Sequence, residues 1–184
     1  NTTARAERAT EILRTEHTVI LKVLDCLQKL SSDAGRTRSL DLPSAKDILD
    51  FLGTFADKCH HGKEEGALFP MLGTKGLPTQ VGPVAVMLSE HEQGRAEIAG
   101  MRGAIAGTEP VTSELALRFT VHASAYVDLL RDHIAKENNV LFPMEILRRC
   151  DARAKARALE LLEMTGLAEF GEVRPHQLSG GMQQ

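Results

Sequence analysis

The sequence is poor in the residues that favour β-structure. It contains no tryptophan and one tyrosine, and it shows no sustained alternation of apolar and polar residues. Strands are enriched in aromatic and β-branched side chains, so this scarcity argues against a sheet. Apolar residues recur instead at helical spacing along much of the chain. The sequence therefore predicts an all-α protein.

Further absences exclude several functional classes. No apolar run reaches the roughly eighteen residues that a membrane-spanning helix needs, so no membrane segment is predicted. The net charge is −3 and charges of both signs are interspersed, which gives no basic surface for nucleic acid. The N-terminal segment lacks the apolar core of a signal peptide and has the pattern of a helix start.

The three cysteines occur at Cys26, Cys59 and Cys150, an odd number without CxxC spacing. Such spacing supports neither a disulfide framework nor a zinc site, and it suits a reducing compartment. We therefore expect a soluble cytoplasmic protein, and the sequence leaves a homodimer open.

Four long helices are predicted from apolar periodicity and from start and stop signals. The first ends in SSDAGRTRS, and its apolar stripe consists of Leu13, Val19, Ile20, Val23, Leu24, Leu27 and Leu30. The second begins near Leu42-Pro43-Ser44, because proline suits a first helical turn, and stops around Phe69-Pro70.

The third predicted helix covers about residues 81–106, and the fourth covers about residues 113–148. Thr112 or Ser113 is the expected cap of the fourth helix, and Pro143 is a candidate kink. Four long helices joined by short to moderate loops are typical of an antiparallel up-down bundle. Residues 1–150 are therefore expected to form a four-helix bundle.

The second and fourth helices contain nearly the same twelve residues. HHGKEEGALFPM begins at His60, HIAKENNVLFPM begins at His133, and seven of the twelve positions are identical. The pair Glu16-His17 recurs as Glu90-His91. This internal repeat predicts two halves with pseudo-two-fold symmetry, in which equivalent side chains face each other.

The repeat selects six candidate metal ligands: His17, His60, Glu64, His91, His133 and Glu137. Each His-x3-Glu pair lies on one helical face, because residues four apart are neighbours on a helix. Burying four imidazoles and two carboxylates without partners would be costly, and a metal centre removes that cost. Bundle cores hold two metals with such pairs on facing helices.

We assign His17 and His60 to one metal and His91 and His133 to the other, and both glutamates to bridging positions. This ligand set suits two iron ions, with manganese or zinc as alternatives. It leaves coordination positions for a solvent-derived bridge or a small ligand such as dioxygen.

Four further side chains are expected near these ligands: Tyr126, Glu65, His61 and His122. His61 and Glu65 are interpreted as outer-face or supporting residues, with Glu65 as a spare ligand the minor alternative. Tyr126 either packs with its hydroxyl satisfied or hydrogen-bonds to or ligates the metals. His122 is interpreted as polar filler, and Lys63 and Lys136 as solvated.

With KEE and LFP after the second histidine, the pattern H…HxxxE…H…HxxxE resembles the hemerythrin-like HHE cation-binding family, over about residues 5–148. The resemblance implies a four-helix bundle around a non-haem di-iron centre. Members bind or sense oxygen, handle nitric oxide or iron, or repair damaged iron centres. Invertebrate-type hemerythrins have five histidines, a Glu and an Asp, which counts against fast oxygen carriage here. The repair proteins carry an N-terminal di-cysteine segment that this sequence lacks.

Residues 151–184 have a different character. A short helix is predicted first, and PHQLSGGMQQ then resembles the signature segment of ATP-binding cassette ATPases. The chain contains no GxxxxGK[ST] motif and no Walker B strand, so ATP hydrolysis by this chain alone is excluded. A gene-fusion remnant, an artificially cut or joined chain, and a tail that docks elsewhere remain as explanations.

Three functions are compatible with this sequence. The first is a di-iron module that binds or senses a diatomic ligand, dioxygen or nitric oxide, or handles iron. The second is an oxidoreductase that consumes peroxide or nitric oxide, or a protein that repairs iron centres. The third is a structural bundle without a functional metal. Because no ferredoxin, flavin or haem motif is present, binding is favoured over enzymatic activity.

Overall fold

The computed structural model describes residues 2–107 and 111–143, and within these ranges the protein is helical and contains no strand. Three of its four long helical segments contain one regular α-helix each: α1 (Thr2–Thr37), α4 (Pro83–Ile105) and α5 (Ser113–Lys136). The bounds of α1 and α4 agree with the predicted first and third helices, and α5 begins where the fourth is predicted to begin. The all-α prediction is confirmed, whereas residues 144–184, including the tail, lie outside the described ranges.

The second helical segment is composite. It consists of α2 (Leu42–Phe51), two π-helical stretches, π1 (Leu52–His61) and π2 (Glu64–Leu68), and α3 (Phe69–Thr74). The prediction that this helix stops around Phe69-Pro70 is wrong, since α3 continues beyond it. The Phe69 N–H donates to the Glu64 carbonyl and closes a wide turn, which accommodates Pro70 in the first turn of α3.

The same wide turn occurs in the fourth helical segment. There π3 (Glu137–Leu141) follows α5, and the Phe142 N–H donates to the Glu137 carbonyl. Helical structure continues through Pro143, the last described residue. Both wide turns therefore begin at a glutamate of the repeat and precede its proline.

Two helix starts are fixed by side-chain caps. The Asp41 carboxylate accepts a hydrogen bond from the Ser44 N–H at 3.3 Å, so α2 begins where the sequence predicts. The Thr112 hydroxyl accepts one from the Leu115 N–H at 3.3 Å. Thr112 is therefore the cap of α5, and the alternative, Ser113, is the first helical residue.

The buried apolar side chains form two clusters. One contains Ile20, Leu24, Leu52, Ile98, Phe119 and Leu130, among others. The other contains Leu13, Phe69, Met87, Leu141 and Phe142, among others. The predicted inward position of Val19 is wrong, since it is 41% exposed. Among the described helices, none is long and apolar enough to cross a membrane.

Candidate metal centre

A buried polar layer separates the two apolar clusters, and the six candidate ligands lie in it. On α1, for example, His17 lies between Leu13 of one cluster and Ile20 of the other. The six side chains are 0–1% exposed. Their ligand atoms fall into two groups whose members lie within 4.8 Å of one another: His17, His60, Glu64 and Glu137, and His61, Glu64, His91 and His133.

Each of the two candidate carboxylates lies between two histidines, one from each half of the repeat. Glu137 Oε2 is 3.1 Å from His17 Nε2 and 3.4 Å from His133 Nε2. Glu64 occupies the equivalent position, with its oxygens 3.4 and 3.5 Å from the Nε2 atoms of His60 and His91. Two carboxylates placed between two sets of imidazoles have the arrangement that bridging ligands need.

In each of the four candidate histidines, Nε2 points toward the buried carboxylates, and Nδ1 contacts a side-chain oxygen on the outer side of the ring. The partners are Glu16 for His60 (2.9 Å), Glu90 for His133 (2.9 Å), Glu65 for His91 (2.6 Å) and Asn138 for His17 (3.0 Å). An acceptor at Nδ1 selects the tautomer whose Nε2 carries the free lone pair. Such partners hold metal-binding imidazoles in place and raise their basicity.

These outer contacts repeat between the two halves. Glu16 and Glu90 are equivalent in the repeat, and so are Glu65 and Asn138. The sequence interpretation identified the repeated Glu-His pairs and did not assign a role to the glutamates. It also treated Lys63 and Lys136 as simply solvated. Both ammonium groups are about half exposed, and each forms an ion pair with the glutamate that supports the nearby histidine.

Unpartnered polar atoms inside the cluster indicate that cations fit this site. Among the described residues, Nε2 of His17 and His60 and the four carboxylate oxygens of Glu64 and Glu137 are buried without a hydrogen bond. Leaving such atoms unsatisfied costs about 1–3 kcal/mol each, and more when they are charged.

The other two histidines provide a second indication. Nε2 of His91 and Nε2 of His133 lie 3.1 Å apart, and each ring has a carboxylate at its Nδ1. If both rings donate from Nδ1, two lone pairs face each other across this short distance. A shared cation makes that contact favourable. The donor set, imidazole nitrogens and carboxylate oxygens, therefore fits a transition-metal site.

Burial sets the protonation of the metal-free cluster. It raises the pKa of Glu64 well above its ordinary value, and the nearby carboxylate of Glu137 raises it further. Burial lowers the pKa of His60 to about 4 and lowers that of His91 still more. Neutral imidazole is the form that binds metals, so these rings need no deprotonation at neutral pH.

Two phenylalanine rings lie between the buried polar layer and the apolar cluster that contains Leu13. The Phe142 ring stacks on His17, with centroids 5.6 Å apart and planes 3° apart. The Phe69 ring stacks on His91 at 5.7 Å and 24°. Both phenylalanines are fully buried and equivalent in the repeat, so they keep water from that side.

His61 does not lie on the outer face. It is 3% exposed, and its ring stacks on His91 at 3.8 Å. The outer-face interpretation is wrong because His61 belongs to the π-helical stretch, where successive side chains are separated by a smaller angle than on an α-helix. Two consecutive histidines, His60 and His61, can therefore both point inward.

The remaining neighbours differ in position. Glu65 is partly exposed and contacts both His91 and Arg95. Tyr126 is buried, but its hydroxyl lacks a hydrogen bond among the described residues, so the expectation of a satisfied hydroxyl is wrong. His122 is partly exposed, lies 2.7 Å from Glu97 and belongs to neither group of candidate ligands.

A comparison with family models agrees with this geometry. The Hemerythrin HHE cation binding domain matches residues 8–145. The chain belongs to this family. The matched residues contain the whole buried polar layer, so the resemblance carried by the repeated His-x3-Glu pattern is confirmed. As a member of the hemerythrin HHE family, the protein has a helical fold that binds cations.

Comparison with individual proteins gives partial matches. Iron-sulfur cluster repair protein YtfE of Escherichia coli (strain K12 / DH10B) is 34% identical over 87 residues, which are 46% of this chain and 39% of that protein. Spermidine/putrescine import ATP-binding protein PotA of Roseobacter denitrificans is 46% identical over 52 residues, 28% of this chain and 14% of that protein. The chain thus spans less than half of either relative. No solved structure matches the chain.

Proposed function

We propose that this protein is a non-haem di-iron protein that binds or senses a diatomic ligand, dioxygen or nitric oxide, or handles iron. The observation that carries the proposal is the position of the two buried carboxylates, each 3.1–3.5 Å from histidine nitrogens on both sides of the cluster. Manganese or zinc suits the same donors and is the alternative.

In this proposal His17 and His60 hold one metal, and His91 and His133 hold the other. Glu64 and Glu137, which lie between the two positions, would contribute carboxylate oxygens to both. A bound iron pair would supply redox chemistry and an open coordination position for the diatomic ligand. The protein side chains orient the imidazoles through their Nδ1 contacts and exclude water with the phenylalanine rings.

The proposal includes an antiparallel bundle of two halves with pseudo-two-fold symmetry over residues 1–150, and a separate tail over residues 151–184. The symmetry is supported by three features that occur once in each half. These are the Glu–His–Lys contact, the wide turn before the proline and the phenylalanine stacked on a histidine. A cytoplasmic location remains part of the proposal.

Repair of iron centres is the second candidate function, because part of the chain is similar to a protein named for iron-sulfur cluster repair. Stable binding and repair differ in the fate of the iron. A binding or sensing protein retains its metal during ligand exchange, whereas a repair protein transfers iron to a damaged cluster. Loading the protein with ⁵⁷Fe and following the label into a cluster-depleted iron–sulfur protein separates the two.

The first experiment measures iron, manganese and zinc per chain by plasma mass spectrometry, after expression in iron-supplemented cells. We expect about two irons per chain, as in other helix bundles whose facing helices supply histidine and glutamate ligands to a metal pair. His17→Ala and His133→Ala should each lower this number, because each removes a ligand. His122→Ala is the matched control, since that histidine lies outside both ligand groups.

Equal metal content in the parent and both ligand variants would contradict the ligand assignment. A folded parent without metal would support the third function, a structural bundle whose polar layer serves packing alone. If two irons are found, addition of dioxygen or nitric oxide to the reduced protein, followed by optical absorption, tests ligand binding directly.

A further inference from the structure

The wide turn at Glu137 removes the usual helical donors from one backbone carbonyl. The Phe142 N–H, which in an α-helix would bond to the Asn138 carbonyl, donates to the Glu137 carbonyl instead. The N–H of the next residue could close a second wide turn onto the Asn138 carbonyl, but that residue is Pro143, which has no N–H. A partly buried carbonyl in this position is therefore best satisfied by a donor from elsewhere in the chain.

Arg14 of α1 supplies such a donor. Its Nη2 donates to the Asn138 carbonyl at 2.6 Å, and its guanidinium carbon lies 5.5 Å from the centre of the Phe142 ring. A planar, permanently charged guanidinium suits both contacts, because it can donate to a carbonyl and also lie over an aromatic ring. One partly buried side chain thus holds two parts of the wide turn.

The two residues that Arg14 contacts are also the two that hold His17. The Asn138 side-chain oxygen lies 3.0 Å from His17 Nδ1, and the Phe142 ring stacks on the imidazole with planes 3° apart. On the other side of the ring, His17 Nε2 faces Glu137 at 3.1 Å. The direction in which this imidazole presents Nε2 therefore depends on the positions of Asn138 and Phe142.

The other half of the repeat has no arginine at this place. The residue equivalent to Arg14 is Leu88, although the wide turn at Glu64 also precedes a proline, Pro70. A wide turn of this kind therefore does not need an arginine for its formation. The contacts of Arg14 with the groups around His17 point to a more specific role.

We propose that Arg14 is a positioning residue for the metal ligand His17. By holding the Asn138 carbonyl and the Phe142 ring, it keeps the imidazole turned with Nε2 toward Glu137. This inference rests on the proposed di-metal function and adds a residue that acts on a ligand without being one. Removal of the guanidinium should change metal binding through the orientation of the His17 ring.

The first test follows the His17 ring in the metal-free protein by ¹⁵N NMR of histidine side chains. In the parent, the tautomer with the proton on Nδ1 should predominate, since the Asn138 oxygen accepts from that nitrogen. Arg14→Leu copies the residue of the other half and removes the guanidinium. It should produce a mixture of both tautomers at His17. The ring of His133, which is held by Glu90, should give the same signals as in the parent.

The second test measures the affinity for Co²⁺, whose visible absorption depends on its ligands. Arg14→Leu and Asn138→Ala should each weaken binding by roughly 10–100-fold, the range found when residues that support metal ligands are changed. Because both changes act on the same imidazole, the double variant should lose less than the product of the two single losses. Arg14→Lys keeps the charge and one donor, so its affinity should lie between those of the parent and Arg14→Leu.

Arg131→Leu is the matched control. Arg131 also joins α5 to α1, but its partners Asp25 and Gln28 are exposed and lie more than two helical turns from His17. This variant should keep the parent's His17 tautomer and Co²⁺ affinity, and weakening equal to that of Arg14→Leu would overturn the proposal.

Three further results would overturn it: parent-like Co²⁺ binding by Arg14→Leu, weaker binding with unchanged His17 signals, and fully multiplicative losses in the double variant. A parent that binds no Co²⁺ would overturn the proposed di-metal function, a distinct result, because the NMR test uses the metal-free protein.

Discussion

At the scale of single residues, two side chains account for most of the free-energy cost of burying the polar layer. Glu64 and Glu137 are fully buried, and their oxygens have no hydrogen bonds among the described residues. Taking a carboxylate out of water costs several kcal/mol, which only a cation or close polar partners can offset. In the proposed function, these two carboxylates bind metal at the expense of the stability of the metal-free protein.

Glu64→Gln tests this trade-off. Burial raises the pKa of Glu64 well above its ordinary value, so folding at neutral pH must either protonate this carboxyl or bury its charge. Glutamine removes that cost, and the free energy of unfolding of the metal-free protein should rise by about 1–2 kcal/mol. The same variant should lose metal. Urea unfolding in the presence of a chelator measures the first effect, and metal analysis measures the second. Exposed Glu114→Gln is the control; a less stable Glu64→Gln protein would contradict the argument.

The outer carboxylates act through the histidines they touch. Glu90 holds the Nδ1 of His133 at 2.9 Å and also contacts Lys136. Glu90→Ala should lower metal affinity by roughly 10–100-fold without removing a ligand, as for other supporting residues around metal sites. Competition with a chelating dye measures the affinity. Glu92→Ala, at a mostly exposed side chain on the same helix, should leave it unchanged.

At the scale of elements, the wide turns determine how the ligands are presented. Each short π-helical turn, π2 and π3, begins at one of the two buried glutamates and ends just before the helix meets a proline. Single π-turns inside helices are frequent at functional sites, because they change the direction of neighbouring side chains. Here the π1 stretch also allows two consecutive histidines to point inward.

The start of α5 offers a test of an element away from the metal. Thr112→Ala removes the side-chain oxygen that accepts from the Leu115 N–H, and the free energy of unfolding should fall by about 1 kcal/mol. Ser113→Ala is the matched control, because Ser113 is already inside the helix and should change stability little. Equal losses in urea unfolding would contradict the assignment of the cap. Metal content should not change in either variant.

At the scale of the whole molecule, the polar layer connects all four helical segments. Its candidate ligands come from α1, the composite second helix, α4, and α5 with its π-helical extension. A metal pair bound there would cross-link helices that are otherwise held together by two separate apolar clusters. Metal binding and folding are therefore expected to be strongly coupled.

Metal addition should raise the thermal stability of the protein. A ligand present at 100 times its Kd adds about 2.7 kcal/mol for one site, and a chelator should reverse the gain. Differential scanning calorimetry with and without Fe²⁺ under anaerobic conditions measures it. A chain ending at residue 150 should keep the full gain if the tail is a separate unit. His17→Ala should lose much of it, and an unchanged gain there would count against coupling through this site.

The periodicity of the sequence was sufficient to predict where the helices lie, because apolar spacing, prolines and caps are local signals. It was insufficient at Phe69-Pro70, where proline is a stop signal and the wide turn that accommodates it depends on the surrounding packing. It also failed for Val19, because a broad apolar stripe does not show where the buried face ends.

The sequence by itself determined the helical class, the repeat and the six residues that lie in the buried polar layer. Each of these depends on spacing along the chain, which needs no knowledge of contacts. Only the tertiary structure decided that His61 points inward, that Glu16 and Glu90 hold imidazoles, and that the Tyr126 hydroxyl has no hydrogen-bond partner in the described part of the chain. These facts depend on contacts between residues distant in sequence and on the rotation of a π-helical turn.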